Sequence, residues 1–132
     1  MSRESIDVIR AAYDAYNDGD LDRLIDLYSP DAEMEIQVLG QIHRGHAEIR
    51  KSFEDFFDVV ESPHTEPLEF IEEGEQLVVP VRIRGRLRHT GITDEMMPTE
   101  MVHVFAVRKG KIVWNFICID RDAAVQAARS RD

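Results

Sequence analysis

Apolar side chains at Ile6, Val8, Ile9, Ala12, Tyr13 and Tyr16 recur at helical spacing, with Arg3, Glu4, Asp7, Arg10 and Asp14 mostly on the other face. This pattern predicts a first amphipathic helix capped by Ser2 or Ser5. Gly19 closes it, because glycine enters the left-handed conformation without steric cost. Asp20 then offers a carboxylate to the free N–H groups of a second, short helix carrying Leu21, Leu24, Ile25, Leu27 and Tyr28. Pro30 stops that helix. Met34, Ile36 and Val38 alternate with Glu33, Glu35 and Gln37, which predicts a half-buried strand.

After a turn at Gly40, residues 41–44 read as a brief return strand. Residues 46–60 form a third helix with Ile49, Phe53, Phe56, Phe57 and Val60 inward. Pro63 and Pro67 bound a linker into a strand at 68–71, followed by a hairpin turn at 72–75. The run 77–89 would span roughly 40 Å at about 3.3 Å per residue. It must therefore bend, and Pro80 and Gly85 are where it can. Strands at 99–107 and 111–119 form a hairpin about Arg108-Lys109-Gly110, and Asp120 caps a last helix built on Ala123, Ala124, Val125, Ala127 and Ala128. Helices followed by long antiparallel strands make an α+β fold. The expected architecture is a cone-shaped, bent antiparallel sheet wrapped around the N-terminal helices. Its apolar interior and open end form a small-molecule pocket. Neither repeats nor low-complexity tracts interrupt the chain, so residues 1–132 are read as one domain.

Charge narrows the partners. Acidic residues number 26 against 16 basic ones, a formal net charge of −10, which repels nucleic acid and anionic membranes at long range. The single cysteine, Cys118, lies in the apolar run 114–119 and reads as a buried structural thiol. The opening Met1-Ser2-Arg3-Glu4-Ser5 lacks an apolar signal core, and no stretch approaches membrane-spanning length. A cytoplasmic location is the resulting expectation.

Several side chains could carry chemistry, and each has a plainer use. Asp120, at the end of the last strand, is either a pocket acid or base or the cap of the C-terminal helix. Arg82, Arg84, Arg86 and Arg88 form one stripe that either holds an anionic substrate or faces solvent or a second subunit; Arg82 is the strongest candidate. Tyr13 and Tyr16 lie on the inner face of the first helix, lining a cavity or filling a core. Trp114 and Phe116 share a strand face with Cys118 and Asp120, as an aromatic wall for a flat ligand or as core. His103, between Val102 and Val104, is a general base near neutral pH or a hydrogen-bonded structural histidine. His43 and His46 flank a turn without a carboxylate or cysteine to complete a set, so no metal is expected. There is no glycine-rich phosphate loop and no serine-nucleophile motif, and no cofactor is expected.

Four motifs, Asn17-Asp18-Gly19-Asp20-Leu21-Asp22, Tyr28-Ser29-Pro30-Asp31-Ala32, Arg44-Gly45-His46-Ala47-Glu48-Ile49 and Gly110-Lys111-Ile112-Val113, carry a resemblance. With them the chain resembles the nuclear transport factor 2-like superfamily, and within it the SnoaL-like group of polyketide cyclases, ketosteroid isomerases and limonene-epoxide hydrolases. The resemblance implies a cystatin-like α+β barrel. These motifs punctuate structure, so they bear on fold more than on activity. Counting from Gly19 and Gly110, the two oxyanion donors and the general base of ketosteroid isomerases fall at Ala12, Val102 and Ile36, none of them polar. That activity is therefore not expected. The arginine of limonene-epoxide hydrolases falls on Arg82 and one of their aspartates on Asp120, while the other falls on Arg84. The Tyr-Asp pair of dehydratases similar to scytalone dehydratase falls on Tyr16-Asn17, matching the tyrosine alone.

The resemblance implies a small, largely apolar organic molecule as ligand. The expected activity is cofactor-independent acid–base catalysis of isomerisation, cyclisation, dehydration or epoxide-opening type. Asp120, Arg82 and His103 are its expected catalytic residues, and Tyr13, Tyr16, Trp114 and Phe116 its ligand contacts. The alternative is a non-catalytic binding or assembly module whose cone is packed shut. A homodimer through the sheet is expected under either reading.

Overall fold

A computed structural model describes residues 3–88 and 100–131. Helix α1 runs Arg3–Asn17 and α2 Leu21–Asp26, with Gly19 between them at φ +72°. Asp20 caps α2 as its sequence position predicts, its carboxylate accepting from the Arg23 backbone N–H at 3.1 Å. Strand β1 is Tyr28–Ile36, β2 Gln41–Arg44, β3 Val60–Pro67, β4 Ile71–Glu73, β5 Gln76–Leu87, β6 Glu100–Arg108 and β7 Lys111–Cys118. Helix α3 is Gly45–Val59 and α4 is Arg121–Arg131. His89 and Thr99, the expected outer ends of two strands, lie outside the described residues.

The seven strands form one curved sheet in the order β2-β1-β7-β6-β5-β3, with β4 paired to β5. Pairings are antiparallel except β1 with β7, which run parallel. Two expectations about proline change. Pro30 does not precede the strand but lies within it, since β1 begins at Tyr28; the ladder to β7 is irregular from Tyr28 to Glu33, which accommodates a residue without an N–H donor. Likewise the expected linker between Pro63 and Pro67 is β3, an edge strand, where proline costs fewest ladder bonds. Ser62, at φ +49°, accompanies a bulge in β3 opposite Gly85, so the long strand β5 does meet an irregularity where the sequence allowed one.

The sheet separates two apolar layers. On its concave side Ile9, Ala12 and Tyr13 of α1 and Ile49 of α3 pack with Leu77, Val79, Val81 and Ile83 of β5 and Phe105 of β6. On its convex side Ala124 and Ala128 of α4 cover Val78, Val104, Ala106, Trp114, Phe116 and Cys118. Small residues on α4 let the helix approach the sheet closely. Arg131 completes this cover by stacking on the Trp114 ring, 4.5 Å from its centroid. Cys118 is buried there, as its apolar run predicts.

One irregularity decides which side each residue of β7 serves. In the hairpin, Ala106 pairs with Trp114 and Val107 with Ile112, so Val113 is an extra, unpaired residue. Ile112 therefore packs on the concave side and Trp114 on the convex side, although an even spacing would put them together. The turn joining β6 to β7 has Lys109 at φ +53° and Gly110 at φ +76°, the mirror-image conformation that suits the twist of a hairpin. A side chain at Gly110 would have room but would be held in a left-handed backbone.

Candidate functional site

The cavity lies between the concave sheet face and helices α1 and α3, with a volume of about 300 Å³. That size is at the small end of organic-ligand sites. Its walls are largely apolar. Ala12 and Tyr16 come from α1, Phe53 and Phe56 from α3, Met34 and Ile36 from β1, and Met101 and Phe105 from β6. The half-exposed Val38 and the exposed Leu39, in the short 3-10 turn Gln37–Leu39, mark where the cavity meets solvent. Among the described lining residues there is no aspartate, glutamate, lysine or arginine.

Polar chemistry is concentrated in two pairs and one lesser contact. The Tyr13 hydroxyl lies 2.8 Å from His103 Nδ1, joining residues 90 positions apart in the chain. The two rings stack at 5.9 Å with an angle of 11°, and Phe105 meets both edge-on. Burial without a neighbouring anion pushes His103 down to about 4, so the imidazole is neutral near pH 7. The same desolvation raises the Tyr13 phenol well above its ordinary value, so it stays protonated. Two tautomers satisfy the bond. With Tyr13 donating to Nδ1, Nε2 carries the proton and donates. With Nδ1 carrying the proton, the Tyr13 hydroxyl and the Nε2 lone pair are both released. The pair can thus give or take a proton without a charged group at rest.

In a second pair the Tyr28 hydroxyl donates to Asn115 Oδ1 at 3.1 Å, and Asn115 Nδ2 donates to the Val104 carbonyl at 3.2 Å. Both side chains are buried. Tyr28 too is raised by desolvation. Tyr16 of α1 and Thr65 also line the cavity, and burial pushes the Tyr16 phenol up, an effect that the Thr65 side chain offsets only in part. Asn17 holds that corner: its Nδ2 donates to the Thr65 carbonyl at 2.9 Å, and its Oδ1 accepts from the Thr65 N–H at 2.8 Å. An aspartate there could accept but not donate, so the acid of the Tyr-Asp dehydratase pattern is replaced by a backbone clamp.

Of the residues singled out from sequence, Tyr13, Tyr16 and His103 line this cavity and Trp114, Phe116, Asp120 and Arg82 do not. Trp114 and Phe116 belong to the convex layer beneath α4, because the extra residue Val113 turns them outward. Asp120 is exposed and serves as cap, its carboxylate accepting from the Asp122 N–H at 3.1 Å and its carbonyl from the Ala124 N–H at 3.1 Å. Arg82, Arg84 and Arg86 point to the outer surface while Val81, Ile83 and Gly85 are buried; Arg82 sits beside Glu100 of β6 and Glu66 of β3 in the ladder. Val102, where the protonated aspartate of an isomerase was placed by counting, is also on the convex side, and the cavity-facing neighbours are Met101 and His103. Ala12 and Ile36 do line the cavity, so two of the three isomerase positions are apolar at the site itself. Tyr28, Asn115 and Thr65 were not anticipated. Tyr28 read as part of an amphipathic helix and Thr65 as linker, and Asn115 lay within the apolar run 114–119 with no role assigned.

No described group of three or more His, Cys, Asp or Glu side chains is placed to hold a metal ion, and no described helix is long and apolar enough to cross a membrane. A profile of the SnoaL-like domain matches residues 9–115. The chain belongs to the SnoaL-like family. Among solved structures, this SnoaL-like chain is similar to a candidate polyketide cyclase from Sinorhizobium meliloti, at 25% identity and a TM-score of 0.70 over 84% of this chain and 93% of that one. It is also similar to TerC, co-crystallized with polyporic acid, at 25% identity and a TM-score of 0.74 over 96% of this chain and 98% of that one. An NTF2-like protein from Burkholderia xenovorans shares 27% identity, with a TM-score of 0.72 over 97% and 98% of the two chains. No curated protein matches the chain.

Proposed function

We propose that this SnoaL-like protein is a cofactor-independent acid–base enzyme acting on a small, uncharged, largely apolar organic molecule. The carrying observation is the Tyr13–His103 hydrogen bond within a largely apolar cavity of about 300 Å³. In this reading His103 carries its proton on Nδ1, donated to Tyr13, and takes the substrate proton at Nε2, while the Tyr13 hydroxyl hydrogen-bonds the oxygen on which charge develops. A base held near 4 is weak, yet it is unprotonated at neutral pH and therefore ready in every cycle. Water exclusion by Phe53, Phe56 and Phe105 strengthens each hydrogen bond made inside. The likeness to a candidate polyketide cyclase and to a protein crystallized with polyporic acid agrees with a flat, ring-bearing ligand.

The test is hydrogen–deuterium exchange at the carbon beside the carbonyl of 2-tetralone, an uncharged bicyclic ketone, followed by NMR in D2O. Wild-type protein should accelerate exchange, and His103→Asn should lower the rate about 100- to 10,000-fold. Asparagine is chosen because its amide overlays Nδ1 and can keep the bond to Tyr13. Equal rates in the two proteins would refute the role given to His103. The absence of a carboxylate among the described lining residues favours a second reading, a non-catalytic binding module. Saturable binding of 2-tetralone with exchange no faster than in buffer would decide for it.

A further inference from the structure

The Tyr28–Asn115 pair has a fixed polarity, and the reason lies in the backbone. The Val104 carbonyl, 3.2 Å from the Asn115 amide, can only accept a hydrogen bond. It therefore holds Nδ2 toward itself, which turns Oδ1 toward Tyr28 at 3.1 Å. Oδ1 also can only accept, so the Tyr28 hydroxyl proton is committed to it. What Tyr28 has left to offer the cavity is oxygen lone pairs. The opposite amide orientation would set two acceptors against each other at Val104, inside a buried region where that costs the most.

We infer that Tyr28, oriented by Asn115, is an acceptor site for a ligand hydroxyl, and that the cavity selects hydroxylated ring compounds over isosteres lacking the donor. The inference rests on the small-molecule reading of the cavity and extends it to a substrate class. The two polar pairs divide the work. At Tyr13–His103 either partner can carry the mobile proton, as a reacting centre requires. At Tyr28–Asn115 the direction of donation cannot reverse, as an orienting contact requires. A molecule engaging both carries a hydroxyl or phenol for Tyr28 and presents its reacting carbon or carbonyl to Tyr13 and His103. Discrimination of this kind is modest, because Tyr28 keeps its bond to Asn115 whichever ligand binds and the wrong ligand forfeits one accepted hydrogen bond.

The test compares 2-naphthol with 2-methylnaphthalene, which has the same shape but no donor, by titration calorimetry or fluorescence. Removing Tyr28 alone would expose Asn115 Oδ1 as a new acceptor, so the informative protein is the double variant Tyr28→Phe/Asn115→Leu. Replacing both partners with apolar groups of similar shape also spares stability. The wild-type preference for 2-naphthol should fall roughly 3- to 10-fold in the double variant, with 2-methylnaphthalene affinity little changed. An unchanged preference, or a preference lost in Tyr13→Phe instead, overturns the assignment of the hydroxyl to Tyr28. Failure of wild-type protein to bind either probe overturns it together with the small-molecule reading. Absence of 2-tetralone exchange, in contrast, leaves it standing, because binding preference needs no turnover. If the double variant does not fold, wild-type NMR decides. The ring protons flanking the 2-naphthol hydroxyl should contact the Tyr28 ring, and contacts to Tyr13 and His103 instead would overturn the proposal.

Discussion

His103 makes folding stability depend on pH in a way that can be worked out from its position. The imidazole has an ordinary value of 6.5 and is held at about 4 in the folded protein by burial among Tyr13, Phe105 and the cavity wall. Its folded value lies below its unfolded value, so between these pH values the unfolded chain binds more protons. Stability from this group is then complete above about pH 6.5 and is lost as pH falls toward 4. The full difference is about 3 kcal/mol, and about 2 kcal/mol of it is already lost at pH 5. For a domain of this size, whose total stability is of order 10 kcal/mol, that is a large share. Carboxylates also titrate in this range, so the measurement must be a difference. Urea unfolding of wild type and His103→Asn at pH 7, 6 and 5 should give profiles that diverge by about 2 kcal/mol at the acid end, with wild type falling faster. Side-chain NMR should show the His103 ring silent down to pH 5. Parallel profiles, or a His103 midpoint near 6.5, would refute the burial argument and with it the neutral pair at the site.

Two further substitutions probe the frame. Asn17→Asp removes the only N–H that the side chain gives to the Thr65 carbonyl while keeping its acceptor, and should cost about 2 kcal/mol by urea unfolding; a neutral result would mean the clamp is not needed to hold β3 on α1. Asp120→Ala should cost about 1 kcal/mol as the loss of a helix cap, and should leave 2-tetralone exchange and 2-naphthol affinity unchanged, since the carboxylate is exposed and outside the cavity. A fall in exchange with stability intact would restore Asp120 to the reaction.

Local chemistry made most of the scaffold legible in the linear chain. Helix boundaries at Gly19 and Asp20, the alternation of β1, the Lys109-Gly110 turn and the Asp120 cap each depend on residues within four positions of one another. The carboxylate of Asp20 reaches Arg23 whatever the rest of the chain does. Prolines misled where they sit in strands, because their tolerance depends on whether a strand is at an edge, as β3 is. Half of the candidate site was legible too. Tyr13 and Tyr16 were placed by helical period, and His103 by a polar residue breaking an apolar strand.

What only the tertiary structure decided is which face each strand residue serves and which distant residues meet. Alternation tells that two residues share a face, not which face is the cavity; burial marks Trp114 and Phe116 as strongly as it marks Asn115. One unpaired residue, Val113, sends the aromatic pair beneath α4 and turns Asn115 inward to Tyr28, 87 positions away in the chain. A bulge changes pairing geometry rather than composition, so it leaves no mark in the pattern of apolar residues. The sequence therefore determined the frame through short-range hydrogen bonding and periodicity. The polar pairs that give the cavity its chemistry depend on strand register and on a helix laid across the sheet, and these exist only once the chain has folded.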